Sequence, residues 1–156
     1  MRPKIIVYDD CYRDQLEELL IGFSKEIYGE GTAFVNDFVN SHHYIYLAVV
    51  GEEVVGFASF HHNTYFGMRK PTMGMTYLYV KPEYRNGRAS YLLALQIGAV
   101  CDHMNMDMET YLASEETQRI VKRMDNGEFL YSVYVFPVEE VRKTFGELKK
   151  HIKLEE

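Results

Sequence analysis

The chain of 156 residues has no tryptophan, four prolines and only two cysteines. No apolar run approaches the roughly 18 residues that a membrane helix needs. The opening stretch, Met1-Arg2-Pro3-Lys4-Ile5-Ile6-Val7-Tyr8, lacks the apolar core of a secretory signal. Cys11 and Cys101 lie far apart with no CxxC pairing. That excludes a disulfide framework and a thiolate zinc site, and it reads as a reduced, cytoplasmic protein. Positive charge is scarce too: 17 Lys and Arg face 23 Asp and Glu, a net −6. Duplex binding is driven largely by counterion release, so this balance argues against nucleic acid as a partner. Repeats, low-complexity segments and Ser/Gly linkers are also missing.

What is present is globular. Apolar residues make up 47% of the chain and charged ones 26%, a composition that buries a core. Thirteen Tyr and nine Phe point to strand-rich structure with aromatic-lined surfaces. The length fits one domain over 1–156. Lys4 to Tyr8 reads as a first strand. Asp9 or Asp10 would cap a helix bearing Leu16, Leu19, Leu20, Phe23 and Ile27 on one face, and Gly29-Glu30-Gly31 breaks it. Thr32 would cap a second, short helix carrying Phe34, Val35, Phe38 and Val39. Tyr44–Val50 and Val54–Phe60 form a hairpin around Gly51-Glu52-Glu53. Met73–Val80 is a fourth strand, stopped by Pro82. Tyr91–Cys101, apolar nearly all round, predicts a buried helix. Met106–Leu112 reads as a fifth strand. Ser114 would cap a helix with Ile120, Val121 and Met124, and Phe129–Phe136 alternates as a last strand. The fold class is mixed α/β: a central mixed sheet flanked by helices, with an appended C-terminal helix over 138–156. That helix carries Val138, Val141, Phe145, Leu148 and Ile152 at steps of 3, 4, 3 and 4, a seam that either packs back or makes a homodimer.

One segment carries the chemistry: Leu78-Tyr79-Val80-Lys81-Pro82-Glu83-Tyr84-Arg85-Asn86-Gly87-Arg88-Ala89-Ser90, followed by Tyr91-Leu92-Leu93. A strand ends, a turn follows, and a helix opens at a cluster of small residues. Small side chains let a ligand approach the backbone closely. Free N–H groups and the positive end of the helix dipole favour an anion there. Arg85 and Arg88 add forked donors suited to phosphate.

These residues resemble motif A of the GCN5-related N-acetyltransferases (GNAT), whose pattern is Gln/Arg-x-x-Gly-x-Gly/Ala and whose backbone amides hold the pyrophosphate of acetyl-CoA. Without a gap, Arg85 takes the first position, while Arg88 and Ser90 stand at the small ones. With a one-residue deletion, Gly87 and Ala89 take the small positions. The Arg-Asn-Gly-Arg-Ala-Ser variant is similar to forms in phage-type members. The resemblance extends along the order of elements from Lys4 to about Pro137. It implies acetyl-CoA as co-substrate, held by Arg85, Asn86, Gly87, Arg88, Ala89 and Ser90. It also implies a pantetheine arm bordering Leu78, Tyr79 and Val80, with an amine attacking the thioester directly. A backbone N–H near Tyr79 or Val80 would polarise the carbonyl.

The family's usual general acid, a Tyr on the helix after the fifth strand, has no counterpart in Thr117–Met124. The acid would come from Tyr131 or Tyr134 on the last strand, or from solvent, or catalysis would be lost. In that last case the chain is a protein-binding module on the same fold, acting on a host factor. Glu26 and Tyr28, where the first two helices meet, would border the acceptor amine.

His61 and His62 close the third strand near the expected acceptor, and either could take a proton from an attacking ammonium. Glu109, in the fifth strand, is a second candidate for the acceptor side, set against the plainer expectation of a solvated residue. Metal is excluded: neighbours on a strand point to opposite faces, so neither His42-His43 nor His61-His62 chelates one ion, and no HExxH is present. Cys101 and the Met residues at 73, 75, 104, 106 and 108 read as packing.

Overall fold

The computed structural model describes residues 2–42, 44–67, 69–110, 137–140 and 142–143. Two compact units divide the chain, Met1–Asp125 and Asn126–Glu156. Among the described residues of the first, five strands lie side by side in chain order: β1 (Lys4–Val7), β2 (Tyr44–Val50), β3 (Glu53–Asn63), β4 (Thr72–Val80) and β5 (Met108–Thr110). All neighbours are antiparallel except β4 and β5, which run parallel. A parallel neighbour needs a long crossover, and the helix α3 (Arg88–Met104) supplies it. The helices α1 (Arg13–Tyr28) and α2 (Val35–Ser41) intervene between β1 and β2. The fold is mixed α/β, as the sequence predicts.

Each face of the sheet buries one layer of helix. Leu16, Leu19, Leu20 and Phe23 of α1 and Val35 of α2 pack on Leu47, Val54, Phe57 and Tyr79. On the other face, Ala89, Leu93, Ile97 and Val100 of α3 pack on Ala48, Val55, Phe60, Leu78 and Val80. The alternation of β4 therefore sends Tyr77 and Tyr79 to the α1 side and Leu78 and Val80 to the α3 side. Burying each large side chain contributes about 1.5–3 kcal/mol, so this double-sided core fixes the strand register.

Several local expectations give way. Asp9 caps not α1 but a single 3-10 turn over Asp10–Tyr12, its carboxylate accepting from the Cys11 N–H at 3.0 Å. Thr32 caps nothing; Phe34 stands at the N-cap of α2, without a side-chain bond. The hairpin turn shortens to Gly51-Glu52, with Gly51 at φ 65°. β3 runs from Glu53 to Asn63, past the expected run Val54–Phe60, and takes in His61, His62 and Asn63. α3 is buried on one side only: Tyr91 and Leu95 are 60% and 52% exposed. Its apolar composition matches burial on two faces, but the described sheet meets only one.

In the second unit, residues 138–140, 142 and 143 are helical, and the Glu140 N–H donates to the Pro137 carbonyl at 3.0 Å. The rest of the expected C-terminal helix and the homodimer expected of its seam lie outside the described residues. So do the helix expected after Ser114 and the strand with Tyr131 and Tyr134. No described helix is long and apolar enough to cross a membrane.

Candidate active site

The turn between β4 and α3 is braced before it offers anything to a ligand. After Val80 the chain makes a 3-10 turn, Pro82–Tyr84, then Arg85 in extended conformation, Asn86 at φ 61° and Gly87 at the N-cap of α3. Glu53 at the start of β3 accepts from Lys81 Nζ at 2.6 Å and from the Tyr84 hydroxyl at 2.9 Å. Those bonds, Lys81 first, hold the Glu53 carboxyl below its ordinary range. Burial pulls Lys81 downward, but the hydrogen bond and charge of Glu53 overcome it and leave the ammonium above its ordinary value.

The two arginines of the motif divide their roles. Arg85 folds back: its Nε donates to the Val80 carbonyl at 2.9 Å and its guanidinium pairs with Glu26. It also lies over the Tyr79 ring, 5.4 Å from the centroid. Glu26 thereby becomes a strut of the turn, where the sequence places it against the acceptor. Arg88, the first residue of α3, is exposed. The first intrahelical bond of α3 runs from the Tyr91 N–H to the Gly87 carbonyl at 3.5 Å, so the first-turn amides of Arg88, Ala89 and Ser90 point out of the helix end. The Ser90 hydroxyl oxygen is buried there without a partner. A Cβ on Gly87 would stand 3.1 Å from the Tyr84 carbonyl oxygen, so a side chain there fits only if the turn gives by a few tenths of an ångström. Open amides, an orphaned hydroxyl and a neighbouring cation fit a phosphate ester at this helix end.

On the α1 and α2 face of the sheet lies a cleft of about 620 Å³. β4 joins the two places: Thr76 and Tyr77 line the cleft, and Tyr79 backs Arg85. Thr76 is the extra residue of a bulge, because the β3 register steps from Ser59↔Tyr77 to Phe60↔Met75. Phe23 meets Tyr77 edge to face with centroids 5.1 Å apart, and Phe38 lies tilted against Tyr77 at 6.1 Å. Tyr28 and Phe34 stand at the rim, 61% and 73% exposed.

His61 lines this cleft and His62 does not. The His62 ring turns to the α3 face, 6.2 Å from the Tyr44 ring. His61 Nδ1 is hydrogen-bonded to the Thr76 hydroxyl, and its imidazole lies over Gly74 of β4. Strand pairing sets Gly74 opposite His61, and a Cβ at that position would stand 2.8 Å from His61 Cε1. The sequence misses His42, whose ring is 6.4 Å from that of His61. His42 Nδ1–H donates to the Phe38 carbonyl at 2.7 Å, one turn back along α2. The i, i+4 spacing of Phe38 and His42 was the available signal, but only tertiary structure brings it to β3.

Glu109 is not the solvated residue expected. Half-buried, it accepts from the Tyr65 hydroxyl and from the Thr72 hydroxyl, the latter at 2.9 Å. It is not among the described residues that line the cleft. Burial raises the Cys101 thiol above its ordinary value, which suits packing and not nucleophilic work. Among the described residues no group of three or more His, Cys, Asp or Glu is placed to hold a metal ion.

The profile of a family described as "Acetyltransferase (GNAT) family" matches residues 8–123 of this chain. No curated protein matches it. Among solved structures it is similar to a ribosomal-protein-alanine N-acetyltransferase from Brucella melitensis biovar Abortus 2308, with TM-score 0.68 and 13% identity over 88% of this chain and 99% of that one. An integron cassette protein from the mobile metagenome of V. cholerae gives TM-score 0.65 and 18% identity, covering 93% and 98%. An aminoglycoside acetyltransferase from an uncultured soil metagenomic sample, in complex with trehalose, gives 0.64 and 11%, covering 86% and 96%. At such identities these likenesses speak for the fold.

Proposed function

The chain belongs to the GNAT acetyltransferase family, and on that premise we propose that it transfers the acetyl group of acetyl-CoA to an amine held in the cleft. The observation that carries this reading is the course of β4, which runs from the cleft floor at Thr76 and Tyr77 to the open N-terminus of α3. Arg88, Ser90 and the first-turn amides of α3 would hold the pyrophosphate, with Asn86, Gly87 and Ala89 shaping the approach. Leu78, Tyr79 and Val80 would flank the pantetheine arm. Acetyl-CoA, when bound, supplies the activated acyl carbon. A backbone N–H near Tyr79 or Val80 donates toward the carbonyl oxygen as negative charge develops there. The cleft holds the amine against that carbon, converting a bimolecular encounter into a positioned one.

His61 takes the proton that the attacking ammonium must lose. Where Nδ1–H donates to the Thr76 hydroxyl, Nε2 carries the lone pair that accepts this proton. Attack by the neutral amine leaves a second proton on its nitrogen; solvent takes that proton up and protonates the departing CoA thiolate, so the products are the amide and the CoA thiol.

The test is amine-dependent release of CoA thiol across pH. His61→Gln is expected to lower kcat roughly 10²-fold or more and to remove the acidic limb of the profile. His62→Gln is expected to keep that limb. A His61→Gln enzyme with the wild-type profile would remove the imidazole from the mechanism. No thiol release by the wild type on any amine would point to the non-catalytic member instead.

A further inference from the structure

We infer that the acceptor is a small primary amine with an aromatic or bulky apolar body and no carboxylate, of the arylalkylamine kind. The inference deepens the proposed function and rests on the cleft being the acceptor site. Its first support is the wall chemistry. Phe23, Phe38 and Tyr77 present ring faces and edges inside the cleft, and Tyr28 and Phe34 extend the aromatic surface to the rim. Such walls favour an apolar body, and ring faces also attract a cation.

Charge is the second support. Asp37 of α2 and Glu30 of the α1–α2 connection line the cleft, and both are exposed at its mouth. Among the described lining residues there is no lysine or arginine. An ammonium is drawn in, and a substrate bearing its own carboxylate meets two like charges with no countercharge. Amino acids are thereby disfavoured against the corresponding amines.

Third, several of the polar groups that line the cleft are already bonded within the protein. Ser24 Oγ donates its proton to the Glu30 carbonyl at 2.6 Å, and Ser41 Oγ donates to the Asp37 carbonyl. Thr76 Oγ1 is bonded to His61, and His42 Nδ1–H donates to the Phe38 carbonyl. A polyhydroxylated, multiply charged acceptor would leave water and find few partners for its own groups, a loss that an apolar body does not incur.

The test uses the full chain and separates two readings. Calorimetric titration with CoA reads the acetyl-transfer proposal. Titration of the CoA-saturated protein with 2-phenylethylamine, L-phenylalanine, spermidine and kanamycin reads the acceptor class, whether or not turnover follows. 2-Phenylethylamine is expected to bind at least about tenfold more tightly than the other three. L-Phenylalanine, which adds only a carboxylate, isolates the charge argument. Phe38→Ala is expected to weaken the aryl amine about tenfold. Asp37→Asn, at an exposed position that leaves the fold intact, is expected to weaken it roughly two- to fivefold. Tighter binding of spermidine or kanamycin, equal binding of phenylalanine, or no aryl-amine binding to a protein that does bind CoA overturns the acceptor class alone. Failure to bind CoA overturns the proposed function and this inference with it.

Discussion

At the scale of the residue, the candidate base depends on a missing side chain. His61 sits over Gly74, held on one edge by Thr76 and faced on the cleft side by His42. Gly74→Ala sets two effects against each other. Removing glycine from a strand gains about 0.4–1 kcal/mol through the unfolded chain. The new Cβ would stand 2.8 Å from His61 Cε1 and 2.9 Å from Asn63 Nδ2, and overpacking of this kind costs about 1–3 kcal/mol. The clash wins, because the Thr76 bond leaves the imidazole little room. Gly74→Ala is expected to lower the melting temperature by a few degrees and kcat by about tenfold, through the displaced ring. A thermal melt and a turnover assay check it, and an unchanged kcat would mean the imidazole position is irrelevant. His61 was legible as a candidate from its place on a β-rich run. Its Gly74 seat and His42 neighbour were not, since both depend on strand register and on how α2 lies against the sheet.

At the scale of the element, the β4–α3 turn is the best-read feature and also the most revised. Strand, turn, small residues and helix were all legible in Leu78 to Leu93. The division of labour between Arg85 and Arg88 was not, because it depends on Glu26 arriving from α1. The same limit explains α3. Composition reports how apolar a helix is, whereas Tyr91 and Leu95 show that one described sheet face covers only one stripe of it. The brace at the turn carries a pH signature. Glu53 is held below its ordinary pKa, so its contribution to stability is fully present above that ordinary value, about 4.3, and is lost as pH falls through the lower folded value. The pair is partly exposed and screened, so the contribution is about 1 kcal/mol at most. Chemical denaturation of wild type and Glu53→Gln is expected to show a constant difference from about pH 5 to 8 that shrinks in more acidic solution. A difference that grows on acidification would contradict the brace.

For the whole molecule, the sequential sheet with one parallel crossover was legible because each strand is a short β-rich run with clear punctuation and α3 is the one long apolar insert. The ends of elements were less legible, as at β3, where Asn63 reads as loop until β4 pairs with it. Net charge describes the molecule but not its parts: a chain of −6 still presents Arg88 at the helix end and gathers carboxylates at the cleft mouth. The central claim, that the open end of α3 holds the co-substrate, is tested most directly by calorimetric titration of acetyl-CoA into wild type, Arg88→Glu and Arg85→Ala, each melted in parallel. The account predicts binding by the wild type, affinity lowered about tenfold or more in Arg88→Glu at an unchanged melting temperature, and a lowered melting temperature in Arg85→Ala from loss of its bonds to Val80 and Glu26. Equal affinity of wild type and Arg88→Glu, or no binding by a folded wild type, would contradict it.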